Sequence, residues 1–428
     1  MKWVKAILHY RLGALARASL KTMGVFGIRL VTQVALLFLL ASFLGPAEFG
    51  EYAAIAALAI LFGTLSSVGI GFLVLSDTAK DDHKSRESYQ KALPVILLSS
   101  GALMPLYLLI AALVIRSSAG VPVLLMIAAS ELLVMPLVMV QAQRLQGQGR
   151  VAQGQILLAL PLIARLALLA IMAATFPDSG LPAFAAIHLI TALLALAIGS
   201  MVAGALAARK TGLTLPDTAS LRRGLPYALM RMASSGPGEA DKIIAPRLLG
   251  ASDAGSYALA SRGLAVATLP VIAFLLAAQP RIMSLSKHDP ERIWSLVAIL
   301  LAGSLAYGLT IGLLFYTVAP LVFFLIVGSE FSGIADILRL LAFVAPLLTL
   351  RVGLGGFLVA FELPRARTVI EALGTVVLIT IALAAAPALS ADGFVLAIAV
   401  SEGLMVAAFS VTVLLWRKRT VRECDAAN

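Results

Sequence analysis

The sequence predicts an all-α protein that crosses a membrane about twelve times in two six-helix halves, and three observations carry this prediction. Of its 428 residues, 61% are apolar and 13% are charged, whereas soluble proteins average about 45–50% and about 25%. The apolar residues fall into runs of about twenty or more, the length that a hydrocarbon core of about 30 Å requires. Lysine and arginine are concentrated in alternate connections between these runs.

Twelve apolar runs can be marked along the chain. They lie at about 23–44, 50–76, 92–115, 121–140, 155–176, 182–207, 225–248, 254–280, 293–327, 333–361, 368–386 and 393–416. The ninth and tenth are long enough to tilt, kink or include an interfacial turn. We refer to these runs as the first to twelfth spans.

The distribution of positive charge predicts the orientation of the spans. If the N terminus is cytoplasmic, the inner segments hold 24 of the 33 lysines and arginines, and the outer turns hold one, Arg116. Cytoplasmic loops carry such an excess, so both termini are predicted to be cytoplasmic. The predicted organisation is a basic interfacial segment at 1–22, an N-terminal half at 23–207, a cytoplasmic linker at 208–224, a C-terminal half at 225–416 and a basic tail at 417–428.

The connections between spans favour a function without covalent chemistry. The outer turns are short and carry isolated acidic residues, and we find no paired carboxylates, nucleophile motif or phosphate-binding glycine loop. The single cysteine, Cys424, excludes a disulfide framework, and the four histidines are too scattered for a helical metal site. We therefore expect no catalytic residue, metal or cofactor. The net charge of +11 reflects topology and does not indicate a nucleic-acid partner.

One outer turn occurs twice. Residues 44–53 have the sequence LGPAEFGEYA and residues 249–258 the sequence LGASDAGSYA, so Leu, Gly, Gly, Tyr and Ala recur at an offset of 205 residues. Six spans separate the copies, and both halves therefore insert with the same orientation. Such parallel repeats are related by an axis along the membrane normal and can rock about a central cavity. The alternative is a tight turn with an interfacial tyrosine that arose twice.

The seventh span is unusually polar for a membrane helix. One of its faces holds Arg231, Ser235, Gly238 and Lys242 at helical spacing. Glu239 and Asp241 flank that face, and Pro237 should bend the helix. Ionisable groups within a span normally face a wet cavity or a partner, which favours a transport pathway. The alternative is that the two acids only neutralise the two bases.

These features together resemble a known family. The duplicated Leu-Gly-x-x-x-x-Gly-x-Tyr-Ala turns, the Asp241–Lys242 pair and the turn Gly328-Ser329-Glu330-Phe331 resemble the polysaccharide-transporter (Wzx-type) branch of the multidrug/oligosaccharidyl-lipid/polysaccharide (MOP) exporter superfamily. The resemblance extends from Arg17 to the twelfth span. It implies two six-helix lobes around a central, often cationic cavity in the bacterial inner membrane.

The resemblance also implies a function. A flippase of this type moves an undecaprenyl-pyrophosphate-linked oligosaccharide across the inner membrane for the biosynthesis of O-antigen lipopolysaccharide, exopolysaccharide or capsule. Membrane lipids, a polysaccharide polymerase and a chain-length regulator are the partners that it suggests. Three alternatives remain open: a cation-coupled multidrug (MATE-like) exporter, a membrane glycosyltransferase or O-antigen polymerase, and a lipid-II-type flippase.

The basic residues within the spans are the candidate substrate contacts, because guanidinium and ammonium groups form charge-assisted hydrogen bonds with phosphates and sugar acids. The candidates are Arg29, Arg231, Lys242, Arg262 and Arg351. Glu239 and Asp241 are candidates for coupling transport to an ion. Arg29 could instead snorkel to the inner interface, and Arg262 could pair with Asp241.

Other ionisable residues within the spans are given no part in transport. We expect Arg165, Arg247 and Arg339 to be peripheral or interfacial. Glu131, Glu371 and Glu402 are expected to be protonated carboxyls that bond to a neighbouring helix, and the histidines, including His188, to be bystanders.

Overall fold

The computed structural model describes residues 14–80, 82–115, 117–202, 218–275, 278, 282 and 290–427. Most of the predicted interfacial segment 1–22 and of the linker 208–224 lies outside these residues. In the part that is described, every regular element is a helix. The helices of the first half are Ala14–Ser66, Ile70–Lys80, Asp82–Ile110, Gly120–Ala128, Met135–Gly147, Val151–Thr175 and Gly180–Val202. Those of the second half are Thr218–Leu249, Ala251–Ala267, Pro290–Thr317, Ala319–Val327, Ile334–Leu341, Ala345–Ala360, Pro364–Leu389 and Ala391–Ala427.

The predicted spans can be recognised in these helices. Within the described residues, nine helical stretches are long and apolar enough to cross a membrane. The stretch Gly24–Ser66 contains two of the predicted spans, because the helix is broken at Gly45. The pair Ile334–Leu341 and Ala345–Ala360, bent by 48°, forms the tenth span. The polar helix Thr218–Leu249 is the seventh, and the predicted layout of twelve helices is therefore accounted for.

The duplicated turns are tighter than predicted. Each was expected to be a five-residue loop, but only one glycine interrupts the helix in each case. Gly45 has φ 67° and ψ 174°, and Gly250 has φ 83° and ψ 163°. Both conformations lie in a region that only glycine adopts at little cost. The matching angles support the duplication.

The two turns pack against each other across the axis that relates the halves. A Cβ atom on Gly50 would lie 2.3 Å from the carbonyl oxygen of Ala251, and one on Gly255 would lie 1.9 Å from that of Pro46. Both members of one contact are offset by 205 residues from those of the other, as a two-fold relation requires. The predicted outer ends of the two halves therefore meet backbone to backbone.

Acidic residues of the first turn hold neighbouring spans in place. Glu48 accepts a 2.7 Å hydrogen bond from the backbone N–H of Leu181 at the start of the sixth span. Glu51 accepts one of 2.9 Å from the N–H of Ala119, just before the fourth. Carboxylates at helix N termini satisfy free N–H groups and interact favourably with the helix dipole. These acids therefore cap helices.

The second span is shorter than predicted. It was expected to reach residue 76, but its helix ends at Ser66 and a new helix, Ile70–Lys80, follows. The hydroxyl of Ser66 donates to the carbonyl of Gly63, and that of Ser67 donates to the carbonyl of Thr64. Val68 has φ 44° and Gly69 φ 70°, and these angles end the helix.

Candidate functional site

The predicted polar face of the seventh span, Thr218–Leu249, differs in solvent exposure from residue to residue. Arg231 and Ser235 are half-buried and Gly238 is exposed, whereas Lys242 is only 5% exposed. The Nζ atom of Lys242 donates a 2.6 Å hydrogen bond to the carbonyl of Gly238 one turn earlier. Helical spacing therefore predicts the position of Lys242 on the helix. Its side chain, however, folds back onto the backbone of the same helix and does not point away from it.

Lys242 forms a closed, buried group with Asp241 and Tyr257. Its Nζ atom lies 3.2 Å from Oδ1 of Asp241, and the hydroxyl of Tyr257 donates to Oδ2 of the same carboxylate. Asp241 is 1% exposed and Tyr257 fully buried, with the Tyr257 ring against Phe394. The three side chains satisfy one another. In this structure, Lys242 and Asp241 are therefore not placed to meet a substrate or an ion.

Arg351 lies in a second closed network within the C-terminal half. Its Nε atom is 2.5 Å from Oε2 of Glu402, and its guanidinium is 3.7 Å from Glu371. Glu371 also receives Arg367 at 3.1 Å and the hydroxyl of Ser234 at 2.5 Å. Two arginines balance two carboxylates, and the network joins the seventh, tenth, eleventh and twelfth spans. Glu371 and Glu402 are thus buried and bond to neighbouring helices, as expected, but their partners include two arginines that sequence reasoning did not assign to them.

Arg262 reaches from the eighth span across to the first half. Its guanidinium lies 3.6 Å from Oε2 of Glu239 and donates a 3.3 Å hydrogen bond to the carbonyl of Ala53 on the second span. The alternative pairing of Arg262 with Asp241 is therefore wrong, because Glu239 takes that place. Arg262 therefore links the two halves.

A polar group in the N-terminal half was missed by sequence reasoning. Nε2 of His188 lies 2.7 Å from Oε1 of Glu131, and His188 is 2% exposed. Arg165 and Arg262 are close enough to act electrostatically on both residues. Arg165 is 7% exposed, so the expectation that it would be peripheral is wrong. The signal was available, because ionisable residues in the middle of a span seldom lack a role.

The backbone around Glu131 is also unusual. Residues Ala129–Val134 form a short π-helix, and such π-bulges occur frequently at functional sites. Gly63 of the second span packs so closely there that a Cβ atom on it would lie 2.3 Å from the carbonyl oxygen of Glu131. The Glu131–His188 pair is therefore held in a fixed position against the second span.

Arg29 and Arg231 differ from the other three candidates. Both are half-buried, and within the described residues neither lies within ion-pair distance of a carboxylate. The guanidinium of Arg231 lies over the ring of Phe72 at 6.0 Å, and that ring stacks on Tyr227 at 5.2 Å. Each of these arginines therefore retains its capacity to bind an anion.

The structure thus divides the five predicted contacts by their partners. Lys242 and Arg351 are buried beside acidic partners, and Arg262 bridges the halves. Arg29 and Arg231 have no acidic partner in the described part of the chain. No group of three or more His, Cys, Asp or Glu side chains there could hold a metal ion. A substrate-binding role for these residues stays a prediction.

Comparison with solved structures places the fold among membrane exporters. An inward-facing multidrug resistance MATE family transporter of the MOP superfamily aligns with a TM-score of 0.72 at 15% identity, over 96% of this chain and 100% of that one. An outward-facing conformation of such a transporter gives 0.63 at 15% identity, over 96% and 97%. A MOP superfamily transporter from Pyrococcus furiosus with a binding pocket of reverse polarity gives 0.61 at 14% identity, over 94% and 96%.

Sequence comparison identifies the family. No curated protein sequence matches the chain. A family model described as polysaccharide biosynthesis protein matches residues 17–286, which is more than half of the chain. Both comparisons agree with a multi-pass membrane protein of exporter fold. The chain belongs to the polysaccharide biosynthesis protein family.

Proposed function

We propose that this protein is a flippase that moves an undecaprenyl-pyrophosphate-linked oligosaccharide across the bacterial inner membrane for O-antigen, exopolysaccharide or capsule synthesis. The family supports a place in polysaccharide biosynthesis, and the fold supports export. The observation that carries the proposal is that Arg29 and Arg231 are half-buried within the spans without an acidic partner in the described residues. A diphosphate group would supply the missing negative charge.

The physical reason lies in the cost of moving a diphosphate through hydrocarbon. Desolvating such an anion costs at least several kcal/mol per charge, even after relaxation. Two guanidinium groups offset this cost through short, charge-assisted hydrogen bonds with the phosphate oxygens. Arg29 and Arg231 lie in the first and seventh spans, which are equivalent under the 205-residue repeat. Each half would therefore contribute one arginine to the same anion.

The packing of the outer turns supports alternating access. Gly50 and Gly255 bring the predicted outer ends of the halves into backbone contact, so this arrangement is closed on that side. Rocking of the halves that separates this contact would open the cavity outward. The protein would act without covalent chemistry and deliver its product to a polysaccharide polymerase with its chain-length regulator.

The test is leaflet-resolved measurement of undecaprenyl-linked glycans in cells depleted of the protein. We expect a lipid-linked repeat unit to accumulate on the cytoplasmic face while surface polysaccharide disappears. Arg29→Ala and Arg231→Ala should fail to restore surface polysaccharide at normal protein level. Arg339→Ala is the matched control, because Arg339 is exposed and pairs with Asp336 one turn away on the same helix. Normal function of both test variants would refute the role of these arginines.

The same experiment separates the alternatives. If the lipid-linked glycans keep their normal distribution, a cation-coupled drug exporter becomes the better candidate, which the MATE fold favours, and dye efflux would be measured next. Accumulation of a peptidoglycan precursor would indicate a lipid-II-type flippase. Glycosyl transfer by the purified protein would indicate a glycosyltransferase or polymerase.

A further inference from the structure

An apolar groove opens on the surface of the bundle at its predicted cytoplasmic end. Its volume is about 510 Å³, within the range of about 300–1,000 Å³ typical of small-molecule sites. The first half lines it with Val68, Val95, Leu98 and Ser99. The hydroxyl of Ser99 points to the backbone carbonyls of Ser66 and Val95, so this wall offers an apolar surface. Leu98 is 60% exposed and would contact the bilayer.

The start of the seventh span forms the opposite wall. Leu221, Arg222 and Leu225 line the groove. Leu221 and Leu225 are four residues apart and therefore lie on one face of the helix. Arg222 is exposed and has no carboxylate within ion-pair distance among the described residues. The neighbouring Arg223 instead pairs with Asp77 at 3.7 Å. As far as the structure describes its surroundings, the groove therefore has apolar walls and a positive charge, Arg222, without an acidic partner.

The groove lies over a seam between the two halves. A Cβ atom on Gly69 would lie 2.1 Å from the carbonyl oxygen of Gly224, and one on Gly224 would lie 2.2 Å from that of Val68. The backbone just after the second span is thus in direct contact with that of the seventh span beside the groove. A ligand bound there contacts both halves at once, on the side of the membrane where the proposed substrate would be loaded.

From these features we propose that the groove binds the proximal isoprene units of a polyprenyl diphosphate, with Arg222 contacting the diphosphate. An apolar chain with an anionic end matches apolar walls with one cationic residue. The inference rests on the proposed function, and it assigns this groove to capture of the lipid end of the substrate before transport.

The experiment uses the full-length protein in phospholipid nanodiscs and a photoreactive, diazirine-bearing farnesyl diphosphate as the probe. We expect the probe to label peptides that contain residues 95–99 and 221–225. Unlabelled geranylgeranyl diphosphate should compete at least tenfold better than farnesol, which lacks the anion, or inorganic diphosphate, which lacks the chain. Equal competition by added phosphatidylglycerol would identify an ordinary lipid site and overturn the proposal.

Matched variants test the walls and the charge separately. Leu98→Trp should lower labelling at least fivefold, whereas Leu97→Trp, at a neighbouring residue that is 47% exposed and does not line the groove, should leave it unchanged. Arg222→Ala should weaken competition by geranylgeranyl diphosphate but not by farnesol, and Arg223→Ala is its control. Equal effects in test and control variants would refute the assignment. Because labelling requires no transport, failure here and failure of the flippase proposal are distinguishable.

Discussion

Replacement of Gly255 by alanine should shift the protein away from the arrangement described here. Gly255 lies where the duplicated turns meet, and the added Cβ atom would lie 1.9 Å from the carbonyl oxygen of Pro46. Ordinary van der Waals contact of a Cβ atom begins at 3.4 Å, so the backbones must separate by about 1.5 Å. The obstacle is backbone on both sides, and it cannot rotate away as a flexible side chain could.

The magnitude follows from the known cost of overpacking. Inserting one extra carbon into a tight contact typically costs about 1–3 kcal/mol. If that cost falls only on the state in which the outer ends touch, the equilibrium between closed and open outer ends shifts by roughly 5- to 150-fold. Gly50→Ala should act in the same direction, since its Cβ atom would lie 2.3 Å from the Ala251 carbonyl.

The assay is a distance measurement between spin labels on Asp178→Cys and Ser329→Cys, in a Cys424→Ser background. Both labelled positions are exposed in predicted outer turns, one in each half. Gly255→Ala should produce a second population at longer distance. Gly403→Ala is the control, because nothing lies within 4 Å of the Cβ atom that it adds. If the distance distribution of Gly255→Ala matches that of the control, the contact between the turns does not hold the outer ends together.

Three further predictions concern stability. Gly250→Val should lower protein abundance through a backbone strain of about 1–3 kcal/mol, because φ 83° suits glycine alone; normal abundance would count against the turn. Arg351→Ala should cost about 3–5 kcal/mol by leaving the buried Glu402 without its arginine partner, and this loss should appear as a lower Tm in detergent. Arg339→Ala should change stability by less than about 0.5 kcal/mol. Lys242→Ala should also lower Tm, since Asp241 loses its cationic partner; lost transport with an unchanged Tm would instead favour substrate contact by Lys242.

The helices and their repeat could be predicted because both depend on local sequence. Apolar runs of about twenty residues determine where a chain can cross a bilayer, whatever the rest of the fold. The offset of 205 residues also implied an axis, and the contacts of Gly50 and Gly255 lie across it. The end of the second span was missed because serine hydroxyls and the backbone at Val68 break the helix without interrupting its hydrophobicity.

The pairing of charges could not be predicted, because it depends on residues far apart in the sequence. Arg351 and Glu402 are separated by 51 residues, and Glu131 and His188 by 57. Helical spacing indicates which residues share a face of one helix, but it does not indicate which neighbouring helix covers that face. For this reason the sequence did not show that Lys242 and Arg351 are buried beside carboxylates.

Arg29 and Arg231 bear on how a substrate could drive the movement of the halves. A ligand shifts an equilibrium only through its different affinity for the two states. An anion held by one half alone would move with that half and would have the same contacts in every state. Arg29 and Arg231 belong to different halves, and their separation of 202 residues differs from the repeat by three, which is less than one helical turn. On the proposed function, one diphosphate would therefore draw the two halves together, and its release would let them separate.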